Sequence, residues 1–166
     1  MAGGLTVRAV RALLAMLLAG PVAAESVDAM VDRLKPLVFA DPDSSIATLR
    51  SERKNAFRLP DTRKRAMAVA TTQWLEGDAE LRLDRLDAAS ALLAEALRTV
   101  DALEPRSRLK ARILLSRGGL NTSRGRVVAA LSDLQASYRL FRANGDKRSQ
   151  AAALLSISAL YSDAKD

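Results

Sequence analysis

The sequence predicts an all-helical protein built from stacked helix hairpins. Apolar residues recur every three or four positions along each long segment, and the period-two alternation of a strand is absent. The pattern also repeats: Leu86, Ala89, Leu93, Ala96, Leu97 and Val100 are followed 41 residues later by Val127, Ala130, Leu134, Ser137, Tyr138 and Phe141. A repeat of this length is typical of arrays in which each hairpin covers the apolar surface of its neighbours.

Residues 1–24 have the pattern of an export signal peptide. Arg8 and Arg11 precede an apolar run over residues 12–20, and the small residues Val22-Ala23-Ala24 form a cleavage site. An uncleaved membrane anchor is the alternative, but Pro21 and Glu25 cut the apolar run short of the roughly 20 residues that span a bilayer. We therefore expect cleavage before Glu25 and export, in a bacterium to the periplasm.

Composition excludes several classes of active site. The chain has no cysteine, which removes disulfides, thiol nucleophiles and lipid attachment, and no histidine, the commonest general base and zinc ligand. The net charge of +7 includes both arginines of the leader, so the remainder is mildly basic, and aromatic residues are few. We expect no enzymatic activity, cofactor, metal or nucleic-acid partner.

The first predicted hairpin covers residues 25–60. Apolar residues at helical spacing indicate a helix from Glu25 to about Leu37, disturbed near its end by Pro36. A turn follows at residues 39–43, and Asp43 or Ser44 is expected to cap a second helix that ends near Leu59. The segment is interpreted as a degenerate first repeat or as an N-terminal capping hairpin.

Three further repeats are predicted after Pro60. One covers residues 61–105, with helices over 61–83 and 86–103, and the next covers 106–145, with helices over 107–122 and 126–142. Residues 146–166 hold the first helix, over 147–163, of an incomplete third repeat. Its apolar face would lack a following helix, so we expect either a longer chain or pairing with another copy.

Three consecutive cations begin the second predicted hairpin. Arg63, Lys64 and Arg65 lie at a helix N-terminus, where positive charge opposes the helix dipole by a few tenths of a kcal/mol each. They are interpreted as a solvated face, with a contact for an acidic partner or lipid head groups as the alternative.

The repeats resemble tetratricopeptide (TPR) repeats of the longer, roughly 40-residue kind. The resemblance rests on the small, turn and apolar positions Gly77, Asp84, Ala89, Leu93 and Ala96, then Gly118, Gly125, Ala130, Leu134 and Ser137, and finally Ser158 and Tyr161. It implies a right-handed superhelical array of antiparallel helix hairpins, a TPR-like α-solenoid. Glycine inside a helix costs about 1 kcal/mol relative to alanine, which close packing opposite Ala89 and Ala130 can offset.

In this family the first helix of each hairpin lines a concave groove. The resemblance therefore places a peptide-binding groove at Thr71, Trp74, Asp78, Arg82, Arg112, Leu115, Gly119 and Thr122, continued by Leu155 and Ala159. Trp74 either faces this groove or lies at the edge of the core. The lysine and asparagine set with which some relatives hold a C-terminal carboxylate is absent, so no such clamp is expected.

The signal peptide and the long repeats together resemble the exported N-terminal sensory region of bacterial membrane-bound diguanylate cyclases and sensor histidine kinases. The expected function is an exported, non-enzymatic scaffold that binds a protein or peptide, and this scaffold could be the sensory segment of a signalling protein. No output motif is present in the chain, and contact with a membrane would require a longer one. The alternative is a structural assembly subunit that self-associates into a homo-oligomer through its C-terminal helix.

Overall fold

The computed structural model describes residues 25–163 and shows seven helices and no strand in that range. The helices are α1 (Val27–Ala40), α2 (Pro42–Ala56), α3 (Thr62–Arg82), α4 (Leu86–Leu103), α5 (Arg108–Ser123), α6 (Val127–Ala143) and α7 (Lys147–Asp163). The all-helical prediction is confirmed, whereas the predicted leader lies outside the described residues. None of these seven helices combines the length and the hydropathy needed to cross a bilayer.

Two details near the N-terminus differ from the sequence prediction. Helix α1 continues through Pro36 to Ala40, because Pro36 lies on the exposed side while Leu34 and Val38 are fully buried. Helix α2 is capped by Asp41, whose carboxylate accepts from the Ser44 amide at 3.1 Å. Pro42 then occupies the first turn, where proline is tolerated since no amide is needed there.

Each helix packs against the next helix in the chain, and alternate helices also meet. Contacts join α1 to α3, α3 to α5, and α5 to α7, so α1, α3, α5 and α7 form one layer while α2, α4 and α6 flank it. Leu34, Leu49, Leu75, Leu93 and Ile113 are among the fully buried side chains. Short turns of at most five residues reverse the chain between helices, which places the layers side by side.

Two glycines lie where neighbouring helices are in close contact, and the same residue types meet at both places. A Cβ added at Gly77 would lie 3.1 Å from Leu93 Cγ and 3.4 Å from the Ala89 carbonyl oxygen. The same contact recurs between α5 and α6, where a Cβ at Gly118 would lie 2.7 Å from the Cγ of Leu134. The 41-residue sequence period is therefore also a period of helix crossing.

The turns after α3, α5 and α6 share one left-handed residue each. Asp84, Gly125 and Gly145 have φ values of 57°, 67° and 70°. The amide three residues beyond each helix end bonds back to a carbonyl five residues earlier, as in Arg85 to Glu80 at 2.9 Å. Asp84 alone among these three carries a side chain, and that side chain is exposed.

Replacing Asp84 with glycine should raise the free energy of unfolding by about 0.5–1 kcal/mol. The aspartate carboxylate makes no hydrogen bond or ion pair with a described residue, and glycine adopts positive φ without strain. Gly125→Ala, at the equivalent turn, should lower stability by about 1 kcal/mol. Chemical denaturation of both variants checks this, and a less stable Asp84→Gly protein would contradict it.

Turns at one end of the helices are joined to each other by side-chain hydrogen bonds to backbone carbonyls. Arg63 donates to the Leu103 carbonyl at 2.9 Å, and Asn144 donates to the Arg106 carbonyl at 2.9 Å. We call this side edge A, formed by the turns at residues 57–61, 104–107 and 144–146. Arg65 also donates to the Leu59 carbonyl, at 2.8 Å. Two of the three predicted surface cations of this region therefore hold the turns together.

The opposite ends of the helices form edge B, with turns at residues 41, 83–85 and 124–126. Arg85 donates to the Asp43 carboxylate at 2.9 Å, linking the α3–α4 turn to the start of α2. Arg124 donates to the Leu86 carbonyl at 3.1 Å and to Ser90 at 3.3 Å. Both edges are thus connected from one helix pair to the next.

Buried carboxylates tie neighbouring helices together in two places. Glu76 of α3 is 2% exposed and lies 2.8 Å from both Arg50 and Arg53 of α2, although only Arg50 has hydrogen-bond geometry. Asp133 of α6 accepts two hydrogen bonds from Arg117 of α5, at 2.6 and 2.8 Å. Hydrogen bonding to this carboxylate raises the pKa of Arg117 above its ordinary value.

Candidate functional site

The layer of α1, α3, α5 and α7 encloses two adjoining openings, of about 510 and 280 Å³. Lys35, Phe39, Arg112, Ser149 and Ala152 line both of them. We call the combined space the groove. Its walls come from α1, α3, α5 and α7, with Phe141 of α6 added in the smaller opening, so residues distant in the chain meet at one surface.

The floor of the groove is a chain of buried hydrogen bonds between α3 and α5. Trp74 is 2% exposed, and its indole Nε1 donates to Ser116 Oγ at 2.9 Å. Ser116 in turn donates to Asp78 Oδ1 at 2.9 Å, and Arg82 donates to the other oxygen of Asp78 at 3.2 Å. Each polar group in this chain has a partner, so the floor is rigid.

Aromatic faces and cations are interleaved above this floor. The Lys35 ammonium lies 5.5 Å from the Phe39 ring centre and 5.7 Å from the Trp74 ring centre. The Arg82 guanidinium carbon lies 3.8 Å from the Phe39 ring centre, in a stacking position. Phe39 nevertheless remains 55% exposed, leaving apolar surface available to a ligand.

Lys35 is the cation most affected by this environment. Partial burial lowers the pKa of its ammonium, and the Asp78 carboxylate acts in the opposite direction. The guanidinium groups of Arg112, Arg82 and Arg148 lower the pKa of Lys35 further through like-charge repulsion. No carboxylate of the described chain lies within 4.0 Å of the Lys35 ammonium. An anionic ligand group would relieve this repulsion.

Ion pairs fix the wall formed by α1. Asp28 accepts from Arg112 at 2.9 Å and from Arg108 at 3.3 Å, joining α1 directly to α5. Asp146 caps α7 by accepting from the Ser149 amide at 3.0 Å. Both carboxylates are therefore engaged with the protein.

Six of the residues predicted for the groove come together in the smaller opening: Trp74, Asp78, Arg82, Arg112, Leu115 and Gly119. Thr71 and Thr122 line neither opening. Thr71 is fully buried and donates to the Met67 carbonyl at 2.8 Å, while Thr122 donates to the Gly118 carbonyl at 3.0 Å. Each of these hydroxyls donates its hydrogen bond to a carbonyl one turn earlier in its own helix, so it is not directed into the groove.

The sequence reasoning missed the contributions of α1 and the N-terminal half of α7. Lys35 and Phe39 lie in the segment interpreted as a degenerate first repeat or an N-terminal capping hairpin, yet α1 occupies the same layer as the other groove helices. In α7 the lining residues are Ser149 and Ala152, whereas Leu155 is 71% exposed and lines neither opening. The repeat period, applied one helical turn closer to the N-terminus of α7, points to Ser149 and Ala152.

The groove can perform recognition by charge, stacking and apolar contact. No cluster of three or more candidate metal ligands lies within residues 25–163. Asp41 caps α2 and Asp43 pairs with Arg85, so both carboxylates of this turn have partners within the protein. Comparisons with protein-family models, curated proteins and solved structures found no significant match to this chain.

Proposed function

We propose that this chain is a helical repeat scaffold, a TPR-like α-solenoid, that binds a peptide segment of a protein partner in the groove. The repeated glycine–leucine crossings at Gly77 and Gly118 support the solenoid arrangement. So do the hydrogen bonds along both edges, which span 38 to 42 residues each. In a right-handed superhelix of hairpins, both the glycine–leucine crossings and the edge hydrogen bonds would recur once per hairpin.

One observation carries the proposal of peptide binding: helices distant in the chain, from α1 to α7, line a single groove of mixed character. Lys35 and Arg148 are cations for which no carboxylate partner is present among residues 25–163, and both line the larger opening. Phe39, Leu115 and Ala152 supply apolar surface beside them. A peptide with an acidic side chain next to an apolar one matches this lining by charge and by shape.

The sole tryptophan provides a direct test. Trp74 is the only tryptophan in the sequence, so its indole N–H gives a single NMR resonance from the groove floor. Titration with a positional-scanning library of short peptides should shift this resonance, with preference for acidic residues. Failure of every pool to bind would overturn the proposal.

A matched pair of variants ties binding to the groove. Ala152 lines both openings and is exposed, whereas its neighbour Ala151 is exposed and lines neither. Ala152→Arg should weaken the selected peptide at least about tenfold through steric block, while Ala151→Arg should change affinity less than about twofold. Equal effects of both variants would place the peptide elsewhere.

Export and a sensory role belong to this proposal as expectations from the sequence. The supporting features are the signal-like residues 1–24 and the resemblance of signal and repeats to exported bacterial sensory regions. N-terminal sequencing of the protein recovered from a bacterial periplasm tests cleavage before Glu25. The DNA following codon 166 tests the signalling context, because a continuing frame with a spanning segment and a cyclase or kinase motif would support it.

Self-association through α7 is the second candidate function. Leu154 and Leu155 are 50% and 71% exposed, and Tyr161 is 54% exposed on the same terminal helix. Such a cluster is unusual on a monomer surface. Light scattering at high concentration distinguishes the two functions, since a strictly monomeric protein would eliminate the assembly subunit.

A further inference from the structure

Charge is distributed unequally between the two edges of the helix array. In the segments around the three turns of edge A, residues 54–65, 98–110 and 139–148, cations outnumber carboxylates thirteen to four, and the start of α1 at the same end, residues 25–33, adds three carboxylates and one cation. In the segments that form edge B, residues 37–46, 78–90 and 119–131, carboxylates outnumber cations six to four. The hydrogen bonds of Arg63 and Asn144 show that the three turns of edge A are neighbours in space.

The few carboxylates of edge A are occupied within the protein. Asp61 caps α3 by accepting from the Lys64 amide at 2.9 Å, and Asp146 caps α7. Asp101 pairs with Lys110, and Glu104 pairs with Arg63. By contrast, several exposed cations have no carboxylate within 4.0 Å in the described part of the chain: Lys54, Arg58, Lys64, Arg106, Arg142 and Lys147.

An aromatic residue projects from the same edge. Phe57 ends α2, is 61% exposed, and lies between Lys54 and Arg58 in the chain. Pro60 in the same turn is exposed and Leu59 is half-buried. An exposed apolar side chain surrounded by cations is the combination that binds the interface of an anionic bilayer, since the cations attract lipid phosphates and the ring enters the headgroup region.

We propose that edge A docks on an anionic lipid surface, with Phe57 inserted among the headgroups. A duplex nucleic acid would use the cations without requiring the exposed ring, and a single strand would require several stacking aromatics where edge A offers one. The larger opening of the groove shares Asp146 and Arg148 with edge A, whereas Lys54, Phe57 and Arg58 line neither opening. A partner in the groove therefore leaves Phe57 and the cations beside it accessible to the lipid.

Vesicle sedimentation tests this proposal with the chain from Glu25 onward, so that the apolar leader does not contribute. Helices α1–α5 of this part bury a continuous core, and α6 and α7 add two smaller buried clusters. Vesicles of phosphatidylcholine with about 30 mol% phosphatidylglycerol should bind the protein, and vesicles of phosphatidylcholine alone should not. Binding should weaken at high salt.

Charge reversal and a separate aromatic variant locate the docking surface. Lys54→Glu/Arg58→Glu/Lys64→Glu should reduce vesicle binding by about 100-fold or more, since each cation near an anionic surface contributes roughly fivefold. Arg63 and Arg65 are left intact because they bind backbone carbonyls. Phe57→Ala should reduce binding several-fold, with helical content unchanged by circular dichroism.

Arg126→Glu on edge B is the matched control for Lys64→Glu made as a single variant on edge A. Both residues are exposed, and neither has a carboxylate within 4.0 Å in residues 25–163. Arg126→Glu should alter vesicle binding less than about twofold. An equal loss of vesicle binding in both variants would overturn the proposal, and so would the absence of binding to anionic vesicles. It would also be overturned if the protein bound duplex DNA instead of vesicles and the triple variant lost that DNA binding.

Discussion

Replacing Gly118 with alanine is expected to destabilise the fold by up to about 2 kcal/mol, although alanine is the better helix former. The new methyl group would lie 2.6 Å from Leu134 Cδ2, well inside van der Waals contact. Overpacking of this kind costs about 1–3 kcal/mol, which exceeds the gain of about 1 kcal/mol from helix propensity. Urea denaturation followed by circular dichroism measures the difference.

The adjacent glycine is an unusually close control. A Cβ at Gly119, in the same helix, would meet only Leu81 Cδ2, at 3.6 Å. Gly119→Ala should therefore stabilise the protein by up to about 1 kcal/mol. In a Leu134→Ala background, Gly118→Ala should also become stabilising, because the clashing atoms are gone. If Gly118→Ala and Gly119→Ala behave alike, the crossing described here is not the determinant of stability.

Removing both arginines that face Glu76 is expected to lower the free energy of unfolding by about 3 kcal/mol. Glu76 is 2% exposed, and Arg50 and Arg53 each approach it at 2.8 Å. Arg50→Ala/Arg53→Ala would leave the buried Glu76 carboxylate without its counter-ions. An uncompensated buried charge lowers the free energy of unfolding strongly. Thermal and urea unfolding of the double variant test this.

Charge removal should rescue that variant. Adding Glu76→Gln to the double variant is expected to recover at least about 1 kcal/mol, because an amide costs less to bury than an unpaired carboxylate. Arg98→Ala, which breaks the exposed pair with Glu95, should change stability by no more than about 0.5 kcal/mol. A double variant as stable as Arg98→Ala would show that the Glu76 site tolerates loss of its cations.

The helices of residues 61–163 could be predicted closely from the sequence, because caps, turns and apolar spacing agree there. Asp61 and Ser107 cap α3 and α5 as their positions before an apolar run suggest. Gly77 and Gly118 were expected at close approaches to Ala89 and Ala130, and the structure places them there. Local signals and packing requirements coincide at these residues.

Other features depend on tertiary contacts that no local pattern reveals. Pro36 is a helix breaker by propensity, yet burial of Leu34 and Val38 holds α1 together on either side of it. The sequence gives no sign that α1 lines the groove, since its repeat signature is degraded. Trp74 combines both alternatives: it is buried at the core edge, and it also forms the groove floor.

The helix pairs that pack extensively are all one or two positions apart along the chain. No long loop has to close before favourable contacts form, so the entropic penalty of bringing remote segments together is small. Folding can begin at any helix pair and spread outward, which places its rate in the fast, roughly microsecond-to-millisecond range of proteins with local topology. The chain can therefore form its structure progressively, helix pair by helix pair, while it is being synthesised.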